Sequence, residues 1–228
     1  MVSTKGAGFL RARRPEQKQL RYTAILDAAR ELAVRDGVGA VSLTGIAAQV
    51  GMHKSALLKY FETREEIFLR LAESEWQEWA AGLVAALSAT KPEPGEVAEV
   101  LARSVADRPL FCQLLLHSPL TLERNVSLEV VRAFKHAVKG SMREVLPALQ
   151  RALPALDADA CFDLLAMSGI VASGLWQAAH PAPNVAAVHA EDPAAAPLLD
   201  LGASLVRFVR TYLAGLLQLD GRPQPPES

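Results

Sequence analysis

Several hallmarks of enzymes and metal-binding proteins are missing from this chain. It has only two cysteines, Cys112 and Cys161, which lie far apart and form neither a CxxC pair nor a Cys/His cluster. Two such thiols predict no disulfide framework and no zinc site, and they favour buried cysteines in a reducing compartment. A glycine-rich phosphate loop, an HExxH motif and a GxSxG motif are also absent. We therefore expect no metal, no cofactor and no catalytic activity.

Signals for membrane insertion and for β-strands are lacking as well. Arg11, Arg13 and Arg14 interrupt the amino-terminal stretch, so it does not have the apolar core of a signal peptide. The longest apolar run, residues 164–176, is too short to span a bilayer. No segment alternates apolar and polar residues as a half-buried strand does. The sequence predicts a cytoplasmic, all-α protein of about nine helices that does not contact a membrane.

The net charge is only −1, but the charges are unevenly distributed. Residues 1–60 contain ten basic and four acidic residues, which gives +6, and the remaining fourteen basic and twenty-one acidic residues give −7. A basic amino-terminal quarter on an acidic body is typical of a DNA-binding head attached to a separate domain. A basic tail that only aids solubility would show the same distribution.

Residues 42–64 have the pattern of two short helices joined by a tight turn. Ser42 is a favourable N-cap, and apolar residues at three- and four-residue spacing, Ile46, Ala47 and Val50, mark one buried face. Gly51 follows where a helix end favours positive φ. The second helix begins near His53 or Lys54 and turns one apolar side inward and one polar side outward. This division is typical of a helix-turn-helix, in which one side holds the pair together and the other enters a DNA groove.

The segment resembles the tetracycline-repressor (TetR) family of bacterial transcription regulators over about residues 19–79. The resemblance rests on the capped first helix, Ile46-Ala47, Gly51, Leu57, the Tyr60-Phe61 pair, and Thr63-Arg64-Glu65-Glu66-Ile67, whose S/T-x-x-E pattern is a capping box. Four residues depart from the usual family pattern: Gly45, His53, Leu58 and Lys59. The resemblance implies a dimeric regulator whose body binds a small molecule.

DNA contacts are predicted on the outer side of the helix-turn-helix and beside it. Lys54 and Lys59 suit phosphate or guanine, and hydroxyl groups suit phosphate. Arg64 lies at the amino end of the next helix, where the resemblance favours a phosphate contact. The predicted set is Ser42, Thr44, His53, Lys54, Ser55, Leu58, Lys59, Tyr60 and Arg64, with Arg11, Arg13 and Arg14 on a basic arm directed at a minor groove or phosphates.

The chain divides into four predicted segments. Residues 1–14 are expected to form a flexible basic arm and residues 15–62 the helix-turn-helix domain. Residues 63–219 form a helical ligand-binding and dimerisation domain, and residues 220–228 a disordered tail. Within the body, the proline- and alanine-rich stretch 181–196 is expected to be a long loop.

Two carboxy-terminal helices, near 158–179 and 198–218, are apolar over more than one face. One of them also carries small residues at which two backbones could approach closely. We expect them to form a two-fold, four-helix dimer interface, as the resemblance also implies. The predicted interface residues are Ala166, Gly169, Ser173, Leu205, Val209 and Tyr212. Burial of both helices within one subunit is the alternative.

A cavity for a mostly apolar effector is expected among the helices of the body. Its predicted residues are Cys112, Leu115, Leu116, His117, Phe134, His136, Phe162, Met167 and Trp176. The same spacing also fits an ordinary hydrophobic core, and the family resemblance is what favours a pocket.

The predicted function is a dimeric transcriptional regulator, a repressor controlled by a small apolar ligand, that binds double-stranded DNA at a near-palindromic operator. A helix-turn-helix regulator whose body mediates only protein contacts is the alternative. An enzyme is disfavoured because Cys112 and His117 are poorly aligned on one helix and have no third orienting group. The sequence does not determine the effector, the operator or the direction of control.

Overall fold

The computed structural model describes residues 6–88, 93–196 and 199–220, with side chains from Glu16 to Leu219 within those ranges. This part of the chain contains no β-strand, and its α-helices follow one another without internal repetition. In chain order they are α1 (Gly6–Asp36), α2 (Leu43–Gln49), α3 (Lys54–Leu57), α4 (Arg64–Ser88), α5 (Pro94–Ala106), α6 (Pro109–Leu120), α7 (Leu128–Ala152), α8 (Ala158–Ala179), α9 (Pro183–Glu191) and α10 (Leu201–Asp220). The all-α prediction is therefore confirmed.

The head is built from α1 to α3 and the first turns of α4. Ser42 caps α2 by accepting a hydrogen bond from the Gly45 amide at 3.1 Å. Gly51 has φ of 65°, a left-handed conformation that glycine adopts without steric cost, and it ends α2 as expected. The Met52 amide then donates to the Ala47 carbonyl at 2.8 Å, which closes the turn before α3. The predicted pair of short helices is therefore present.

Helix α1 is longer than the sequence predicts. Its backbone is helical from Gly6, whereas we expected a flexible arm as far as residue 14 and a helix start near Pro15. Alanine, leucine and arginine are good helix formers, and they occupy most of positions 7–14. The side chains of Arg11, Arg13 and Arg14 lie outside the described part of the molecule, so their predicted DNA contacts stay predictions.

Helix α4 belongs to two hydrophobic cores. Its first half contributes Ile67, Phe68 and Leu71 to the head core, and its second half contributes Trp79 and Leu83 to the body core. The predicted N-cap is present, since the Glu66 amide donates to the Thr63 hydroxyl at 3.1 Å. The Glu66 carboxylate accepts from the Glu62 amide rather than from the Thr63 amide. One continuous helix is therefore shared by the head and the body.

The body core lies between α4, α5, α7, α8 and α10. Helix α7 packs along α4, while α8 and α10 pack against each other and α10 also covers α5. Ser127 and Asp157 cap α7 and α8 by accepting hydrogen bonds from the Val130 and Ala160 amides. The face of α10 that we expected at a dimer interface includes Leu205 and Val209, which are fully buried within the subunit. This layer arrangement leaves α6 between the head and the body.

Residues 183–191 form helix α9, although the sequence analysis expected a loop there. Pro183 stands in the first turn, where a missing amide hydrogen costs no hydrogen bond, and alanines favour the helix that follows. The prolines therefore begin and end this segment rather than preventing a helix.

By length and composition alone, helix α8 could cross a membrane. The sequence analysis considered only the shorter apolar run 164–176 and judged it too short, but the complete helix has 22 residues. A core helix of a water-soluble protein passes the same test. Helix α8 packs against α6 and α10, and 33% of its apolar window is buried within the subunit.

Candidate DNA-binding surface and effector cavity

The helix-turn-helix separates its buried and exposed side chains as the sequence predicts. Ile46, Ala47 and Leu57 are buried in the head core, and Phe61 stacks on Tyr22 of α1 with ring centroids 4.7 Å apart. The opposite side is exposed and carries seven predicted DNA-binding residues: Ser42, Thr44, His53, Lys54, Ser55, Leu58 and Lys59. Hydroxyl, imidazole and ammonium groups on one exposed surface can bind phosphates and base edges.

Ser42 has two roles that are compatible with each other. Its hydroxyl oxygen accepts the cap hydrogen bond from the Gly45 amide, and a hydroxyl can still donate its own hydrogen. Ser42 can therefore stabilise α2 and donate to a phosphate at the same time. Tyr60 is half-buried beside the inward-facing Phe61, so it stands at the edge of the exposed surface rather than in its centre.

Arg64 is placed differently from the prediction. Its guanidinium donates to the carbonyls of Val41 and Val38, pairs with Glu65 at 2.9 Å and lies over the Phe68 ring. Only 19% of the side chain is exposed. The guanidinium thus satisfies carbonyls of the loop between α1 and α2, an arrangement that argues against the predicted phosphate contact. Sequence reasoning placed Arg64 at a helix end, but the loop it reaches is more than twenty residues away.

A cavity of about 460 Å³ lies in the body between α4, α5, α6, α7 and α8. Three predicted residues, Leu115, Leu116 and Phe162, line it. The other wall residues were not predicted to line a pocket. They are almost all apolar: Trp76, Trp79, Leu101, Val105, Phe111, Pro119, Leu120, Val138, Met142, Leu165, Ala166, Gly169, Ile170 and Ser173. A cavity of this size with such a wall suits an apolar small molecule.

One wall of the cavity is an aromatic cluster. The Trp76 ring packs edge-on against Trp79 and Phe111, with centroid distances of 5.3 and 5.2 Å. The indole nitrogen of Trp79 donates to the Ser104 hydroxyl at 3.0 Å. These residues were missed because α4 was interpreted as a linking helix, although its two tryptophans are three residues apart and so share one face.

The other predicted pocket residues do not line the cavity. Cys112 is buried behind its wall, where the thiol donates to the Val105 carbonyl and burial raises its pKa to about 12. Phe134 belongs to the head-side core and His136 is exposed on α7. Met167 is on the outer face of α8. Trp176 stacks on His180, with centroids 3.6 Å apart.

His117, also predicted in the pocket, lies instead at the junction of head and body. A β-carbon built on Gly39, in the loop between α1 and α2, would be 3.7 Å from its ring. Burial, with a smaller contribution from the nearby Arg64 cation, lowers the pKa of His117. One turn earlier on α6, the buried Gln113 side chain accepts a hydrogen bond from the Val38 amide at 2.8 Å. Helix α6 therefore contacts the cavity on one side and the head on the other.

A buried carboxylate provides a second connection between head and body. Glu75 of α4 pairs with Arg30 of α1 and, at 2.9 Å, with Arg108 immediately before α6. Glu75 is only 5% exposed, whereas its neighbour Glu78, which contacts the same two arginines, is largely exposed. One carboxylate thus links α1, α4 and the residue immediately before α6.

The predicted dimer residues divide into three groups. Leu205 and Val209 are fully buried in their own subunit, so they cannot contact a partner, and this part of the prediction is wrong. Ala166, Gly169 and Ser173 line the cavity, because the face of α8 that carries them turns inward. Tyr212 is half-buried and stacks on Phe208 of α10. The helices were chosen from overall apolarity, which does not distinguish a subunit core from an interface.

Within the part of the chain that the structure describes, no group of histidine, cysteine, aspartate and glutamate side chains is arranged to hold a metal ion.

Solved structures similar to this one are bacterial regulators. FadR from Bacillus halodurans, a fatty acid degradation regulator, has a TM-score of 0.54 at 17% identity, over 85% of this chain and 98% of that one. A TetR/AcrR-family regulator from Thermobifida fusca has a TM-score of 0.53 at 20% identity, over 86% and 97%. FadR from Bacillus subtilis in complex with stearoyl-CoA has a TM-score of 0.54 at 18% identity, over 84% and 97%. At these identities the likeness shows the fold.

The comparison with curated protein sequences finds no match. Two family patterns match. Residues 25–71 match the bacterial regulatory proteins of the tetR family, and residues 73–219 match the tetracyclin repressor-like C-terminal domain. The two matches meet inside α4, the helix that both cores share. With the helix-turn-helix head, the helical body and these matches in agreement, the chain belongs to the TetR family of DNA-binding transcriptional regulators.

Proposed function

We propose that this protein is a dimeric repressor that releases its operator when a small, largely apolar molecule occupies the cavity. The observation that carries the proposal is the position of α6. Leu115 and Leu116 of this helix line the cavity, and Gln113 and His117 of the same helix contact the loop that precedes α2. A ligand that displaces α6 would therefore act on the DNA-binding head.

The proposed DNA contacts divide by chemistry. Lys54 and Lys59 bind phosphate or guanine, and Ser42, Thr44 and Ser55 donate to phosphates. In a two-fold dimer, two such surfaces about 34 to 36 Å apart would enter successive major grooves. The operator is therefore proposed to be a near-palindrome, bound in the cytoplasm.

The dimer is proposed to form through the outer faces of α8 and α10. Met167 is exposed on α8, and Gly174 on the same face permits close approach. Phe208 and Tyr212 are half-buried on α10. Apolar side chains left exposed on adjacent helices favour association of two copies. These residues replace Leu205 and Val209 in the proposed interface.

The effector is proposed to be apolar because the cavity wall has no ionisable side chain. FadR of Bacillus subtilis, which has a similar fold, is in complex with stearoyl-CoA, and the apolar acyl chain of that ligand is what supports this proposal. A ligand that favours the displaced position of α6 weakens operator binding, and by linkage the operator weakens ligand binding by the same factor. The cavity favours this mechanism over a body that mediates only protein contacts.

Selection of bound sequences from a random DNA pool tests the DNA-binding part. We expect a near-palindromic consensus. With that operator, Lys59→Ala should weaken binding and reduce the slope of log K against log salt by roughly one unit, the contribution of one phosphate contact. Arg151→Ala, an exposed arginine at the end of α7, is the control and should leave the slope unchanged. No enrichment of any duplex at low ionic strength would refute the proposal.

A cavity-filling variant tests the effector part. A β-carbon on Gly169 would lie 4.0 Å from Leu115, so Gly169→Ala fits, whereas the larger side chain of Gly169→Leu enters the cavity. Gly169→Leu should keep operator binding and lose the thermal shift that a bound ligand produces by mass action. An undiminished shift in Gly169→Leu, with Gly169→Ala as the control, would place the ligand elsewhere.

A further inference from the structure

The cavity imposes a chemical restriction on the part of a ligand that enters it. Its wall has no Asp, Glu, Lys, Arg or His, and the hydroxyl of Ser173 already donates to the Ile170 carbonyl. Trp79 likewise donates to Ser104. A charged group inside would lose its hydration without gaining a partner, which costs several kcal/mol. Only an uncharged, apolar portion of a ligand is stable there.

The cavity also reaches the protein surface. Three of its wall residues are substantially exposed: Leu120 by 53%, Phe162 by 49% and Ile170 by 62%. These three side chains form the mouth, between the end of α6 and the adjoining face of α8. A ligand with an apolar chain in the cavity can therefore keep a polar group in solvent at this mouth.

Helix α7 carries a concentration of positive charge close in sequence to the residues that it contributes to the cavity wall. From Val130 to Arg143 it has four lysines and arginines and no acidic residue, although the chain after residue 60 carries a net charge of −7. Val138 and Met142 line the cavity, and Lys139 and Arg143 directly follow them in sequence, about 100° further around the helix. Both side chains are exposed.

The charges around this position leave a cationic surplus. Lys135 is paired with Glu123 at 2.7 Å, whereas no ion pair engages Lys139 or Arg143 among the described residues. The acids nearest in sequence are Glu144, which follows Arg143 on a different side of α7, and Glu129, in the first turn of α7. On α8, Asp163 follows the wall residue Phe162. We propose that the effector is an anionic amphiphile, with its apolar chain in the cavity and its carboxylate or phosphate head at Lys139 and Arg143.

This inference rests on the proposed function, because it requires the cavity to be the effector site. The test uses one alkyl chain with three heads: decanol, decanoate and decyl phosphate, each below the concentration at which it self-associates. Binding is measured by calorimetry and by release of the operator. The proteins are the unaltered chain, Lys139→Gln combined with Arg143→Gln, and the matched control Arg151→Gln.

The unaltered chain should bind both anions more tightly than decanol. The double variant should lose about three- to tenfold in affinity for the anions, since exposed ion pairs contribute modestly, and nothing for decanol. Added salt should weaken binding of the anions only. The comparison of decanoate with decyl phosphate distinguishes a carboxylate head from a phosphate head. The phosphate carries the higher charge, so it should gain more affinity from the same two cations.

Four results would overturn the inference. Equal affinity for decanol and both anions, with operator release by all three, would refute the anionic head and leave the proposed function intact. Unchanged anion affinity in the double variant would show that the head lies elsewhere. A weaker operator affinity and a smaller salt slope in the double variant, without effector, would assign Lys139 and Arg143 to DNA. Failure of all three compounds to bind would also count against the effector cavity itself.

Discussion

The DNA-binding surface and the effector cavity are built on opposite principles. The surface is polar, exposed and formed by a contiguous stretch of about twenty residues, between Ser42 and Lys59. The cavity is apolar, enclosed by five helices and lined by residues from Trp76 to Ser173. A local motif can position a surface because spacing along a helix decides which side chains point outward. A cavity exists only where distant helices fail to fill the space between them.

The two regions are connected mechanically by α4 and α6. Helix α4 is part of both cores, and α6 contacts the cavity and the loop before α2. Polar contacts reinforce this junction: Gln113 with Val38, Arg64 with the same loop, and Glu75 with Arg30 and Arg108. Each of the following variants alters either one region or the junction between them. The unaltered region then serves as a reference within the same protein.

The largest effect is expected from truncating the core of the head. Phe61→Ala removes a buried ring that stacks on Tyr22, and it should lower the free energy of unfolding by about 4 kcal/mol. Operator binding should be lost while the body keeps its ligand-induced thermal shift. Leu58→Ala, at an exposed leucine three residues earlier, should change the free energy of unfolding by less than about 0.5 kcal/mol. Denaturant unfolding monitored by circular dichroism distinguishes the two.

A somewhat smaller loss is expected from the buried carboxylate at the junction. Glu75→Gln removes the buried counter-charge of Arg30 and Arg108 and leaves them only the exposed carboxylate of Glu78, so it should cost about 3 kcal/mol of unfolding free energy. Glu78→Gln removes an exposed partner of the same arginines and should cost less than about 1 kcal/mol. Similar losses in the two variants, measured by urea unfolding, would contradict a special role for the buried carboxylate.

Arg64→Ala separates a structural role from DNA contact. It removes hydrogen bonds to the carbonyls of Val38 and Val41 and should cost about 2 kcal/mol. Because the guanidinium is engaged within the protein, the salt slope of operator binding should stay unchanged, in contrast to Lys59→Ala. A slope reduced by one unit in Arg64→Ala would restore the predicted phosphate contact.

The smallest effect concerns pH. The pKa of His117 is lowered in the folded protein, so the folded state binds this proton less readily than the unfolded chain does. The His117 contribution is therefore present above the ordinary pKa of 6.5 and is lost as the pH falls below it. His117→Gln should flatten the loss of stability just below that pH. His136→Gln, at an exposed histidine, is the control, and equal flattening in both variants would contradict the assignment.

The helix-turn-helix was predictable because its signals are local. Ser42, Gly51 and the spacing of Ile46, Ala47 and Leu57 each act within a few residues, and the structure places all of them as expected. The exposed polar residues follow directly from that register. Arg64 is the exception in this region, since its partners Val38 and Val41 come close only after the head has folded.

The family resemblance predicted a cavity in the body, but the sequence did not identify most of the residues that line it. Leu115, Leu116 and Phe162 line the cavity as expected. Cys112 and Phe134 belong to the hydrophobic cores instead, and the two tryptophans of α4 were not predicted to line the cavity. An apolar residue at helical spacing can face a core, a cavity or a partner. The choice depends on the crossing of α4, α6, α7 and α8, which involves residues as much as a hundred positions apart.

The amino-acid sequence by itself determined the all-helical fold, the capped pair of short helices and their exposed polar side, because capping, glycine conformation and helical periodicity act between near neighbours. Only the tertiary structure decided that α6 contacts both regions, that Glu75 lies between two arginines from separate helices, and that Ala166 and Gly169 face a cavity. These features arise from how helices pack against one another, and the periodicity within one helix does not specify which other helices it will contact.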